Sequence, residues 1–155
     1  MKPVTKVLLF GCLAVVVIAI VAIVAIGWFV KSKSGAWIEQ AQSVRKDGSK
    51  FGLTASESRC VDEMMTRYRR EPGVMSSVKH TVWLGGCLES SAVEPEFCNG
   101  VPPHDEIMRS ATWRNSRCVQ AGLSRDPTCP NLFSEVQRYC YSETRKKKAA
   151  ATQHE

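Results

Sequence analysis

From Val7 to Val30 the chain runs for 24 residues without a charged side chain. No other feature constrains the fold as much. As a helix rising ~1.5 Å per residue, the run reaches roughly 36 Å, enough to cross a hydrocarbon core of about 30 Å with some tilt. The rest of the chain is too short to wrap such a segment as a buried core helix. Residues 7–30 are therefore expected to be a transmembrane helix in contact with membrane lipid, preceded by a short N-terminus at residues 1–6. Trp28, Phe29 and Trp37 fall where interfacial aromatics sit at the end of a span. A cleaved signal peptide ending at Ala25-Ile26-Gly27 is the competing reading, but the apolar stretch is longer than a signal core requires. A lipoprotein signal ending at Cys12 is a poor fit because Phe10 is bulky. A pilin-like leader cut after Gly11 lacks the expected glutamate, since Val16 stands there.

Lys2 and Lys6 on one flank balance Lys31 and Lys33 on the other, so charge leaves the direction of the span open. The cysteines decide it. Six of the seven follow the apolar run, at Cys60, Cys87, Cys98, Cys118, Cys129 and Cys140. An even count in a short domain behind a membrane signal reads as three disulfides, and disulfides persist outside the cytosol. The N-terminus is accordingly expected in the cytoplasm and the cysteine-bearing part outside it, periplasmic or extracellular. Cys12, inside the apolar run, reads as a small apolar residue.

Beyond the span, residues 31–50 read as a juxtamembrane segment and linker. Trp37, Ile38, Ala41 and Val44 form an apolar stripe, and Asp47-Gly48-Ser49-Lys50 has turn composition. Residues 51–144 read as an all-α domain of about four helices. The first opens at Thr54-Ala55-Ser56-Glu57, in the pattern of a capping box, and carries Cys60, Val61, Met64 and Tyr68 before Glu71-Pro72-Gly73 stops it. The second covers about 75–91, with Gly85-Gly86 inside it marking either a close helix contact or a break. The third follows Pro102-Pro103, with Asp105 and Glu106 in its first turn. The fourth opens at Cys129-Pro130. Residues 145–155, headed by Arg145-Lys146-Lys147-Lys148, read as a basic, solvated, disordered tail.

Two disulfide patterns suit these helices. Cys129 and Cys140 share one helix, which holds them roughly 16 Å apart by rise. A disulfide needs Cα atoms within about 7 Å, so these two pair elsewhere. A faint repeat, Trp83-x3-Cys87-x10-Cys98 and Trp113-x4-Cys118-x10-Cys129, suggests Cys87–Cys98, Cys118–Cys129 and Cys60–Cys140. Helical geometry tips toward Cys60–Cys87 across an antiparallel hairpin centred on Pro72-Gly73, with Cys118–Cys129 and Cys98–Cys140.

The sequence offers little catalytic or metal chemistry. Cys and His are not spaced for zinc, Cys-x-x-Cys is absent, and there is no Gly-x-Ser-x-Gly elbow. His80 and His104 are isolated, and His154 sits near the C-terminus. His104-Asp105-Glu106 is an ordinary helix start. Residues 51–144 carry ten Lys/Arg against twelve Asp/Glu, so the basic balance belongs to the flanks and nucleic acid is not an expected partner. Cys87-x10-Cys98 is similar to the central pair of saposin-like lipid binders, which are helical with six cysteines. Their close terminal pairs have no counterpart here. The spacing is also similar to twin C-x9-C hairpins of mitochondrial proteins, with ten residues in place of nine. The expectation is a non-enzymatic, cofactor-free, membrane-tethered interaction or accessory protein that meets a protein partner in the membrane or envelope. The alternative is an extracytoplasmic lipid- or small-ligand-binding domain.

Overall fold

The computed structural model describes residues 37–152, together with Ile18, Ile20, Val21, Ile23, Val24, Gly27, Trp28 and Gly35. The chain divides into two compact units, residues 1–40 and 41–155. In the first, the described residues are helical, and Trp28 and Trp37 are exposed. Most of the expected span, with Phe29, Cys12 and the flanking lysines, lies outside the described residues. Among those described, no helix is long and apolar enough to cross a membrane.

The second unit is all-α. Helix α1 occupies residues 41–52, followed by α2 (Glu57–Arg70), α3 (Val74–Ser90), α4 (Ile107–Gln120), α5 (Cys129–Cys140) and α6 (Glu143–Thr152). A single parallel bridge, Ser56 to Ala92, is the only β pairing among the described residues.

Helical periodicity explains the core. On α2, Cys60, Met64 and Tyr68 recur every four residues and have no exposed surface; on α3, Trp83, Leu84, Cys87 and Leu88 do the same work, and on α5 Leu132, Phe133, Val136 and Tyr139. Helix α3 lies at the centre, packed against both α2 and α5, while α4 and α6 pack on α5. Burial on all sides from Trp83 to Leu88, together with exposed apolar residues at its start, is why α3 shows a weak apolar stripe and α2 a strong one.

The glycines of α3 mark a close contact, not a break. A Cβ on Gly86 would come within 2.1 Å of the Arg45 carbonyl oxygen. From the other side, a Cβ on Gly48 would meet the Trp83 carbonyl oxygen at 2.0 Å, and one on Gly52 the Cys87 carbonyl oxygen at 2.3 Å. Backbone meets backbone between α1 and α3, and only glycine permits it. Asp47-Gly48-Ser49-Lys50, expected as a linker, is therefore helical and its Gly48 is buried. Turn composition misled because the glycine serves packing. The packed domain starts at least ten residues earlier than position 51.

Three other expectations are corrected. The first domain helix is capped by Ser56, whose Oγ accepts from the Arg59 N–H at 3.4 Å, and not by Thr54 with Glu57 reaching back. Glu57 is buried and engaged elsewhere. Helix α4 begins at Ile107, with Asp105 and Glu106 ahead of it. Residues 143–152 are helical and Arg145 is buried, so most of the expected disordered tail is an ordered helix held by an ion pair.

The disulfides are Cys60–Cys87, Cys98–Cys140 and Cys118–Cys129, with Cα separations of 5.8, 5.5 and 6.0 Å. They follow helical geometry; the repeat-based pairs Cys87–Cys98 and Cys60–Cys140 do not form. Cys118–Cys129 closes the α4–α5 turn. There Gly122 adopts φ +75° and the Leu123 N–H donates to the Cys118 carbonyl at 2.8 Å, a glycine-terminated helix end.

Candidate functional site

A cleft of about 620 Å³ opens among α1, α2 and α3. Its floor is Trp83, 2% exposed, placed there because α3 turns that face toward α1. The indole N–H donates to Asp47 Oδ2 at 2.7 Å. Arg67 stacks its guanidinium 4.3 Å above the Trp83 ring and reaches Asp47 at 3.1 Å and Glu63 at 2.8 Å. Positions 63 and 67 lie one turn apart on α2, so one helix face supplies both members of that pair. The four side chains form a closed network. Together they fix one wall of the cleft, because the arginine is held by two carboxylates and an aromatic face at once.

The mouth differs in character. Arg70, Glu71 and Lys79 line it and enter no ion pair among the described residues. Ser43 and Val44 complete the α1 side. His80 also lines the cleft, 6% exposed, with its ring edge-on to Tyr68 and its Nε2 buried without a hydrogen-bond partner. Burial, with Lys79 and Arg67 close by, holds the imidazole below its ordinary value, so it is neutral at pH 7. Tyr68 donates from its hydroxyl to Asp126 at 2.6 Å, and burial together with that carboxylate pushes the phenol up.

A second polar cluster is closed to solvent. Glu57, with no exposed surface, forms an ion pair with Arg145, whose Nε lies 2.6 Å from Oε1, and accepts from the Tyr139 hydroxyl at 2.9 Å and the Glu94 N–H at 2.8 Å. Arg145 also donates to the Glu94 carbonyl at 3.0 Å, and Lys148 to the Leu88 carbonyl at 2.9 Å. Burial, then the bond to Glu57, raises the Tyr139 phenol well above its ordinary value. The Glu57–Arg145 ion pair and these hydrogen bonds fasten α6 to the domain, although Arg145 Nε itself has no aligned acceptor.

Two smaller clefts meet at Trp113. One, of about 330 Å³, has Pro102, Met108 and Thr112 on its walls; the other, of about 290 Å³, has Phe97, Phe133 and Arg117.

Sequence reading placed all six disulfide cysteines. It missed the cleft, because Asp47, Glu63, Arg67 and Trp83 come from three helices and carry no motif spacing. The one available signal was Arg67 set four residues after Glu63. Among the described residues, no group of three or more His, Cys, Asp or Glu side chains is placed to hold a metal ion, and His104 stands exposed in a turn. No protein-family model, curated protein or solved structure matches the chain.

Proposed function

We propose that the protein is a membrane-tethered, extracytoplasmic interaction module without catalytic activity, and that the α1–α2–α3 cleft receives a charged segment of a protein partner in the membrane or envelope. The observation that carries this reading is the cleft itself. Its floor and wall are immobilised by the Asp47–Trp83–Arg67–Glu63 network, while Arg70, Glu71 and Lys79 at its mouth keep charges of both signs for a partner. A preformed surface of this kind costs little ordering on binding. Opposed charges at its rim select partners more than they add raw affinity. The tether follows from the apolar run at residues 7–30, and the extracytoplasmic side from three disulfides, which a reducing cytosol would not preserve.

The lipid- or small-ligand-binding alternative asks for an apolar enclosure. The largest of the clefts described here is lined chiefly by charged side chains, which favours a polar peptide surface over an acyl chain.

The test is co-purification of the full-length chain from its native membranes in mild detergent, with wild type beside R70E/E71R. A discrete partner retained by wild type and lost by a variant of unchanged melting temperature is the expected result. Repeated recovery of wild-type protein alone would overturn the proposal.

A further inference from the structure

We infer that the exposed tip of α3 rests on an anionic lipid bilayer, so that the end of the domain bearing it faces the membrane. Val74, Met75 and Val78 are 66, 63 and 57% exposed at positions i, i+1 and i+4 of α3, which puts them on one helix face. Three large apolar side chains side by side at a helix start contribute nothing to the core and are not covered by any described element.

Charge complementarity identifies what covers them. Arg69, Arg70 and Lys79 are exposed around the tip. Arg125 is exposed in the loop between α4 and α5, a loop brought to the same end because Arg69 donates to the Ala121 carbonyl at 2.8 Å and Ser77 to the Thr128 carbonyl. Two acids share this end. Glu71 is exposed, and Asp126 is half-buried, accepting from the Tyr68 hydroxyl and from the Thr128 N–H at 2.8 Å, so four cations face two carboxylates. Apolar side chains ringed by Lys and Arg suit the boundary between acyl chains and anionic headgroups.

The course of the chain points the same way. Helix α1 runs parallel to α3, with Gly48 against Trp83 and Gly52 against Cys87, and Ser43 and Val44 lie beside Lys79 and His80. The chain therefore enters the domain at the end that carries the α3 tip. Only residues 31–40 separate that entry from the apolar run, and the described ones, Gly35 and residues 37–40, are helical, so the link is shorter than the ~35 Å a fully extended chain of that length would reach. A tether this short keeps the tip at high effective concentration over the bilayer, so three apolar side chains and a few cations suffice.

The inference rests on the reading of residues 7–30 as a membrane span, and the test separates the two. Full-length protein with its disulfides intact is reconstituted into phosphatidylcholine–phosphatidylglycerol vesicles containing a lipid with a photoreactive group near the headgroup. Cross-linked peptides are then mapped by mass spectrometry. The expected result is lipid on the Val74–Lys79 segment as well as on residues 7–30. Labelling of the α3 tip should fall severalfold in pure phosphatidylcholine vesicles and in V74S/M75S/V78S, whose substitutions sit on the surface and leave the melting temperature unchanged. Lipid on residues 7–30 alone overturns the inference and leaves the membrane reading intact. Release of the chain by alkaline carbonate, with residues 7–30 unlabelled, overturns the membrane reading and the inference with it. In a parallel sample treated with a bifunctional amine cross-linker, links between two copies through Lys79 with no lipid on the tip would make a second copy its occupant, and would also overturn the inference.

Discussion

Arg145 sits in a run of four cations near the C-terminus, yet it is 7% exposed and paired with a carboxylate that has no exposure at all. Replacing it with methionine keeps the bulk of the side chain and removes the charge. Glu57 would then remain buried with only the Tyr139 hydroxyl and the Glu94 N–H as donors. Removing one partner of a buried ion pair costs about 3–5 kcal/mol, because the other charge is left uncompensated. Against a total stability of about 5–15 kcal/mol for a domain of this class, that is a large fraction. In urea, with a slope of about 1–3 kcal/mol per molar, R145M should lower the unfolding midpoint by at least roughly 1 M under oxidising conditions. E57Q/R145M should recover much of the loss, since glutamine is neutral, its amide oxygen can accept from the Glu94 N–H and its amide nitrogen can donate to the Tyr139 hydroxyl oxygen. K146A is the internal control. Lys146 pairs with Glu143 across an open surface, and its removal should leave the midpoint unchanged. The opposite result would be R145M unfolding with wild type, or E57Q/R145M proving no more stable than R145M. Either result would mean that α6 is not fastened through Glu57.

Three further outcomes are expected. G86A should destabilise by about 1–3 kcal/mol in thermal melts despite the better helix propensity of alanine, because its Cβ meets the Arg45 carbonyl; a neutral G86A would mean that α1 does not pack there. Loss of Cys98–Cys140 (C98A/C140A) should cost more in urea unfolding than loss of Cys118–Cys129 (C118A/C129A). The 42- and 11-residue separations correspond to about 3.9 and about 2.8 kcal/mol of loop-closure entropy, and the reverse order would contradict the pairing. The folded state holds His80 below its unfolded value, so its contribution to stability is complete above about pH 6.5 and is lost as pH falls below that, when the unfolded chain takes up the proton first. Between pH 7.5 and 5, wild type should therefore lose more stability than H80Q in urea titrations; equal losses would show that His80 does not titrate as its burial requires.

The sequence made the all-helical class and α2 through α5 legible and narrowed the disulfides to two patterns, because local geometry constrains each. Spacing of three and four residues in Cys60, Met64 and Tyr68 sets a helix face, and rise per residue forbids a bridge between Cys129 and Cys140. Composition failed where a residue type serves two ends. Gly48 has the look of a linker residue, and only its approach to the α3 backbone shows it as a packing residue. Gly86 carried the complementary signal as a glycine inside a strong helix, but nothing local said which helix it admits.

The acidic and basic residues show the same limit more sharply. Glu57 stands where a capping glutamate is common, and Arg145 heads a run that reads as a solvated tail; each local reading is the usual one for its setting. They are 88 positions apart in sequence, and their pairing is a tertiary fact that neither neighbourhood encodes. The cleft has the same origin, with Asp47, Arg67 and Trp83 contributed by three helices. The Cys60–Cys87 bridge joins α2 to α3, the two helices that carry the cleft wall and floor, and α1 closes against α3 through glycines with no space to slide. The cleft is therefore held rigid by covalent and backbone contacts, while its charged mouth and the apolar tip of α3 are left free of the core. On the proposed reading of the cleft, stability and recognition are carried by different residues, so substitutions at Arg70, Glu71 or Lys79 should alter partner binding without unfolding the protein.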